Sequence, residues 1–217
     1  MVVVSVMLLV FNGVWTAALA FANNDTAAQA TGYGARVAAE IGSTCRQIGG
    51  TTTCSSTCPS GNVDDPCLAD QEVLQAMEPA LKQLTDSVPQ QIDIYQPTSC
   101  QPNAEGVLPA SCPAGTYNGS NTYGPPTTGD LIDPYKWCSA TNSWDLVAGS
   151  GTATGSGNCI TGLVGNYLLD LRTQNIDDEQ AIGVWMSFQF TAPTPGMSFF
   201  SQTFTAYTAI TLPPEGS

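Results

Sequence analysis

Residues 1–41 read MVVVSVMLLVFNGVWTAALAFANNDTAAQATGYGARVAAEI, and the first 24 of them carry no charged side chain. A helix of that uncharged length spans roughly 36 Å, against about 30 Å for the hydrocarbon layer of a bilayer. Its eleven Val, Leu and Phe residues contribute roughly −3 to −7 kcal/mol of insertion energy at about −0.3 to −0.6 each. From Asp25 onward the stretch turns alanine-rich without losing helical character. Asp25, Gln29, Arg36 and Glu40 recur at helical spacing and leave Ala28, Ala35, Ala38 and Ala39 to other faces. The pattern predicts one helix from Met1 to Ile41, about 60 Å long by its rise. Gly13, Gly32 and Gly34 are its expected weak points. A secretory signal peptide is the competing reading, since Ala18-Leu19-Ala20 offers an A-x-A cleavage pattern. Against it, no Lys or Arg precedes the apolar run.

The whole chain has 217 residues, with 18 Asp+Glu against 5 Lys+Arg, a formal charge of −13 and no histidine. So few cations disfavour nucleic acid as a partner, because phosphate contacts need a basic face. Without histidine, Ser-His-Asp, Cys-His and His-ligated zinc chemistry are excluded. Eight cysteines (Cys45, Cys54, Cys58, Cys67, Cys100, Cys112, Cys138 and Cys159) are scattered through Gly/Pro/Ser/Thr-rich sequence after residue 44. Even in number and widely spaced, they read as a disulfide framework in an oxidising compartment, with pairing left open. The alternative is a metal site, for which Cys54-x-x-x-Cys58 is the tightest pair.

Beyond the helix, residues 42–68 lack periodicity and read as a pinned loop. Val73, Leu74, Met77, Leu81 and Leu84 recur as on a helix between Asp70 and Ser87, with Asp70 as the expected N-cap and Pro79 as an interruption that gives a kink or two short helices. Alternation from Gln91 to Gln96 predicts a strand. Residues 97–159 read as a long irregular region punctuated by Tyr117, Tyr123, Tyr135, Trp137 and Trp144, aromatics more consistent with packing than with a sugar-stacking groove. SGTATGSG, at 150–157, reads as a flexible loop, and Cys159–Leu171 is ambiguous between helix and strand. Residues 183–192 and 201–212 alternate as a terminal antiparallel pair joined through Pro193, Pro195 and Gly196. The expected fold is α+β: an N-terminal helix over 1–41, then a disulfide-stabilised domain over 42–217 with an antiparallel sheet.

Several of these features resemble the TadE-like pseudopilins of the Tad branch of type IV filament systems. The resemblance rests on Leu8, Leu9, Val10, Phe11, Gly13 and Val14, then on Ala27, Ala28, Gly34, Ala35, Arg36, Ala38 and Ala39. It continues with Ile92-Asp93-Ile94-Tyr95, with Gly183 to Phe190, with Thr194-Pro195-Gly196 and with Phe204 to Leu212. It covers both ends of the chain and spans the middle thinly. The resemblance implies a structural filament subunit with no catalytic, metal or cofactor site. Its partners would be further copies in a helical homopolymer and, before polymerisation, the inner membrane and assembly machinery. Val6, Leu8, Leu9, Val10, Phe11, Val14 and Leu19 would pack the filament core, with the domain outside the cell. One departure concerns the glutamate such subunits carry at the fifth mature position: counted from Met1, Ser5 stands there.

Other chemistry is thin. Asp177-Asp178-Glu179 could offer calcium oxygens or a carboxylate pair, but reads first as a solvated turn, as does Asp64-Asp65. Asn24-Asp25-Thr26 and Asn118-Gly119-Ser120 match the N-glycosylation sequon, making Asn24 and Asn118 the candidate glycan sites. Beside the filament reading stands a second, a membrane-anchored surface module acting as single copies through its aromatic region. A hydrolase built on the acidic residues is a distant third.

Overall fold

The computed structural model describes residues 2–41, 66–97, 123–127, 130–167, 181–193 and 201–211. A single uninterrupted helix, α1 (Val2–Ile41), opens the chain. A second helix, α2 (Pro66–Leu81), precedes seven strands: β1 (Ser87–Tyr95), β2 (Ile132–Cys138), β3 (Ser143–Leu146), β4 (Ser150–Ser156), β5 (Cys159–Val164), β6 (Ala181–Thr191) and β7 (Ser201–Thr211). Five of them form one sheet in the order β3-β2-β1-β6-β7, antiparallel throughout, and β4-β5 is a separate hairpin. The expected long apolar helix and antiparallel sheet are both present.

Residues on opposed strands share a face, so Ile92, Tyr135, Met186 and Ala206 lie together. On that face the two helices sit side by side. The second half of α1 packs over β6 and β7, where Thr31 and Thr208 hydroxyls lie 3.0 Å apart in a hydrogen bond. Over the other half of the sheet lies α2, with the Tyr135 hydroxyl donating to Asp70 Oδ2 at 2.8 Å and Gln71 Nε2 to the Trp144 carbonyl at 3.2 Å. The core between them joins Ala27, Ala30, Ala35 and Ala38 to Val73, Leu74, Met77, Ile92, Ile94, Ile182, Val184, Met186 and Phe188. Alanines bring the α1 backbone close to its neighbours. Gly34 marks the tightest approach: a Cβ built there would sit 2.8 Å from Met77 Sδ. The glycine expected to weaken the helix is instead where α2 leans against it.

Four local expectations are corrected. Asp70 is not a helix cap. It lies inside α2, buried, because α2 begins four residues earlier at Pro66, a favourable first-turn position for proline. Pro79 does not divide the helix. It falls in the last full turn, and the helical bond from the Lys82 N–H to the Glu78 carbonyl survives at 2.9 Å. SGTATGSG is a strand, not a loop: Thr154 and Thr161 hydroxyls meet across β4-β5 at 2.9 Å, and Gly157 supplies the positive φ that the tight turn needs. Residues 132–146 are likewise ordered into β2 and β3, where Trp137 and Trp144 pair edge to face with centroids 5.5 Å apart.

Of the eight cysteines, Cys138 and Cys159 form the one bridge among the described residues, so the expected disulfide-rich domain reduces there to a single crosslink tying β5 to β2. Cys45, Cys54, Cys58, Cys100 and Cys112 lie outside the described residues, and for Cys67 only its backbone place in α2 is described. Asp64, Asp65, Tyr117, Asn118 and the Asp177–Glu179 cluster also fall outside them.

Candidate assembly surface

Two halves of α1 have opposite environments. From residue 23 onward one face is sealed into the domain; before it, nothing comparable covers the helix. Val3 is 71 % exposed, Phe11 65 % and Phe21 77 %, and Val4, Val6, Met7, Leu8, Leu9, Val10, Val14 and Trp15 are all exposed too. Of the expected packing residues, Val6, Leu8, Leu9, Val10, Phe11 and Val14 therefore stand free of the chain's own domain, whereas Leu19 leans on its core. The helix is long and apolar enough to cross a membrane. An apolar helix with no polar face needs lipid or protein around all of it.

The exposed half also has a direction. Val3, Met7, Val10, Val14, Ala17 and Phe21 recur at alternating spacings of four and three, the period of a coiled-coil seam. At 100° per residue that seam points away from the domain, whose side is marked by Asn23, Ala27, Ala30 and Thr31. Any partner helix at the seam meets apolar side chains only.

Asn23 fixes where the free half begins. Buried at the domain's base, it donates from Nδ2 to the Thr85 carbonyl at 2.6 Å and to Ser87 Oγ at 3.0 Å, and its Oδ1 accepts the Thr85 N–H at 3.0 Å. These bonds clamp α1 to the turn between α2 and β1. Sequence reasoning missed this residue. The available signal was its place one and two turns before Ala27 and Ala30, on the face that becomes buried. Its neighbour Asn24, the sequon residue, is exposed on the same helix, and Thr26 Oγ1 donates to the Ala22 carbonyl at 2.9 Å.

Beside this clamp a groove of about 370 Å³ opens at the same end of the domain, lined by Glu78, Leu81, Lys82, Ser87, Val88, Pro89, Trp137, Asn142 and Trp144. The charged residues among its described lining, Lys82 and Glu78, neutralise each other, with Lys82 Nζ 2.9 Å from Glu78 Oε2. Val88 projects from its rim, 61 % exposed.

On the sheet face away from the helices the chemistry differs. Asp93 is buried on β1, and burial raises its carboxyl from 3.8 to about 6, against the opposing effects of the Gln91 hydrogen bond and the Lys136 charge. Tyr95 beside it is also buried, its hydroxyl donating to the Gly124 carbonyl at 2.8 Å and its phenol pushed up by desolvation. Asp93 and Tyr95 read as sheet packing, with Tyr95 held under the segment that carries Gly124. The one metal-like cluster among the described residues is Cys138, Asp145 and Cys159, within 4.8 Å of one another. Its cysteines are oxidised to each other, which leaves a single carboxylate and no thiolate to bind an ion.

Compared with protein-family models, with curated proteins and with solved structures, the chain matches none of them.

Proposed function

We propose that this chain is a structural subunit of a pilin-like filament of the type IV (Tad) class, not an enzyme. The free half of α1 anchors it in the membrane before assembly and packs among the same segments of other copies afterwards. The observation that carries the reading is the unpaired half-helix: between Val3 and Phe21 its large side chains other than Leu19 are exposed, continuous with a second half that is firmly built into a folded domain. Movement from lipid to a bundle of like helices exchanges one apolar environment for another, so close packing can decide the equilibrium. The acidic domain then forms an outer, extracellular surface whose net negative charge keeps the polymer soluble.

A membrane-anchored module acting as single copies is the second reading, favoured by one fact: the same helix is sufficient to cross a bilayer on its own. The two are separated by introducing a charge. Leu9→Asp places an unpaired carboxylate in the apolar bundle at a cost of several kcal/mol. In the polymer reading, sedimentable filaments seen with the natural sequence vanish while the domain's fold, read by circular dichroism, persists. Filaments of normal yield from Leu9→Asp refute it, as does a natural chain that stays monodisperse in mild detergent and never polymerises.

A further inference from the structure

We infer that the groove at the base of the domain is the receptor for the apolar half-helix of a second copy, taking its Phe11–Trp15 pair. The inference rests on the polymer reading above and adds to it a defined contact between copies.

Four observations converge. Position comes first. The groove shares Ser87 with the Asn23 clamp, so it opens where α1 leaves the domain, at the end from which neighbouring half-helices must approach. It lies beneath α2 and the β2-β3 turn, whereas the chain's own α1 lies over β6 and β7. A helix docked there would run beside the resident α1 without displacing it.

Second, the groove is apolar in the manner of an anchor pocket. Leu81, Val88, Pro89, Trp137 and Trp144 supply walls, and aromatic side chains seated in such pockets dominate the energetics of protein interfaces. Third, charge selects the partner segment. The chain carries −13 overall, but residues 1–24 carry no charge, and the Glu78–Lys82 pair leaves the groove wall neutral. The half-helix therefore brings no acidic group against an acidic domain. Fourth, Phe11 and Trp15, one turn apart, are both exposed and lie on one side of α1, which suits them to enter together.

Knob and groove are different surfaces of one chain. Such a contact is heterologous, so each bound copy still offers a free groove or a free helix, and the series continues as an open helical polymer when it does not close into a ring.

The test places a photoreactive benzophenone residue at position 15 of the full chain and crosslinks the assembled material. Peptides captured from residues 78–89 or 137–144 of another copy are the expected products. Alongside, Val88→Arg, a surface change at the groove rim, is expected to lower polymer yield at least tenfold with an unchanged melting curve. Crosslinks confined to residues 2–22 of neighbours, or a normal yield from Val88→Arg, overturn the groove while leaving the polymer reading intact. If no crosslink joins two copies and neither Val88→Arg nor Leu9→Asp changes sedimentation, both fall.

Discussion

The two halves of α1 reverse the usual relation between hydrophobicity and burial. Val3, Val4, Val6, Met7, Leu8, Leu9, Val10, Phe11, Val14, Trp15 and Phe21 in the first half are exposed, whereas the second half buries Asn23, Ala27, Ala30, Thr31, Ala35 and Ala38. Within one chain this is unsatisfying for the first half and complete for the second. The small side chains of the second half let α2 and the sheet approach closely, with Gly34 against Met77 as the limit. Large side chains in the first half have no such neighbours. In the proposed assembly, lipid or other copies supply what the domain supplies to the alanines, and Asn23 marks the border between the two environments.

That contrast can be attacked by substitution. The largest effect belongs to Leu9→Asp, expected to abolish assembly outright without unfolding the domain, as sedimentation and circular dichroism would report. A similar charge in the buried half, Ala30→Asp, should do the reverse and unfold the domain first, since a carboxylate forced into the core costs several kcal/mol. Thermal melting in detergent distinguishes the two.

Glycine replacement gives a smaller and signed comparison. Gly34→Leu should destabilise the domain by about 1–3 kcal/mol through overpacking against Met77 and Val73. Gly13→Leu has open space around it and should leave the domain's melting point unchanged, with helix propensity gaining up to about 1 kcal/mol locally. Equal losses at both sites would show that the halves are not energetically distinct.

A comparable effect concerns the sheet's far face and pH. Because the Asp93 carboxyl is raised from 3.8 to about 6 in the fold, the folded state holds its proton more tightly than the unfolded chain does. Its stabilising contribution is full below about pH 4, is lost as pH rises to about 6, and is absent above. Two units correspond to at most about 3 kcal/mol. Asp93→Asn should remove this dependence, so that the difference in stability between pH 4 and pH 7 shrinks relative to the natural chain in denaturant titrations. No change in that difference would mean that the fold does not raise the Asp93 carboxyl. Asn23→Ala, which deletes the clamp, should cost a similar amount, about 1–3 kcal/mol, in the same titrations.

Much of the architecture is written in local pattern. The helix to Ile41 follows from an unbroken apolar run joined to an alanine-rich one, and the terminal hairpin follows from alternation in residues 183–192 and 201–212. What escaped depends on contacts between distant residues. Asp70 looks like a cap because a buried aspartate cannot be recognised until Tyr135, 65 residues away, presents its hydroxyl. The β4 strand hides behind Gly and Ser, since its order comes from Thr161 on the facing strand and from the Cys138–Cys159 crosslink. The role of Asn23 depends on Thr85 and Ser87, which the turn after α2 brings to it. The groove was equally illegible, because its walls come from three segments that only the sheet register brings together. On the candidate surface, the sequence shows the apolar run itself but not that Leu19 packs against the chain's own core.

The most direct measurement is a three-dimensional reconstruction of the assembled protein by electron cryomicroscopy. The account predicts residues 2–22 of successive copies gathered about a common axis at ordinary helix-packing separations of about 8–10 Å, with the acidic domains outermost. Isolated molecules whose first 22 residues contact only detergent or lipid would contradict it.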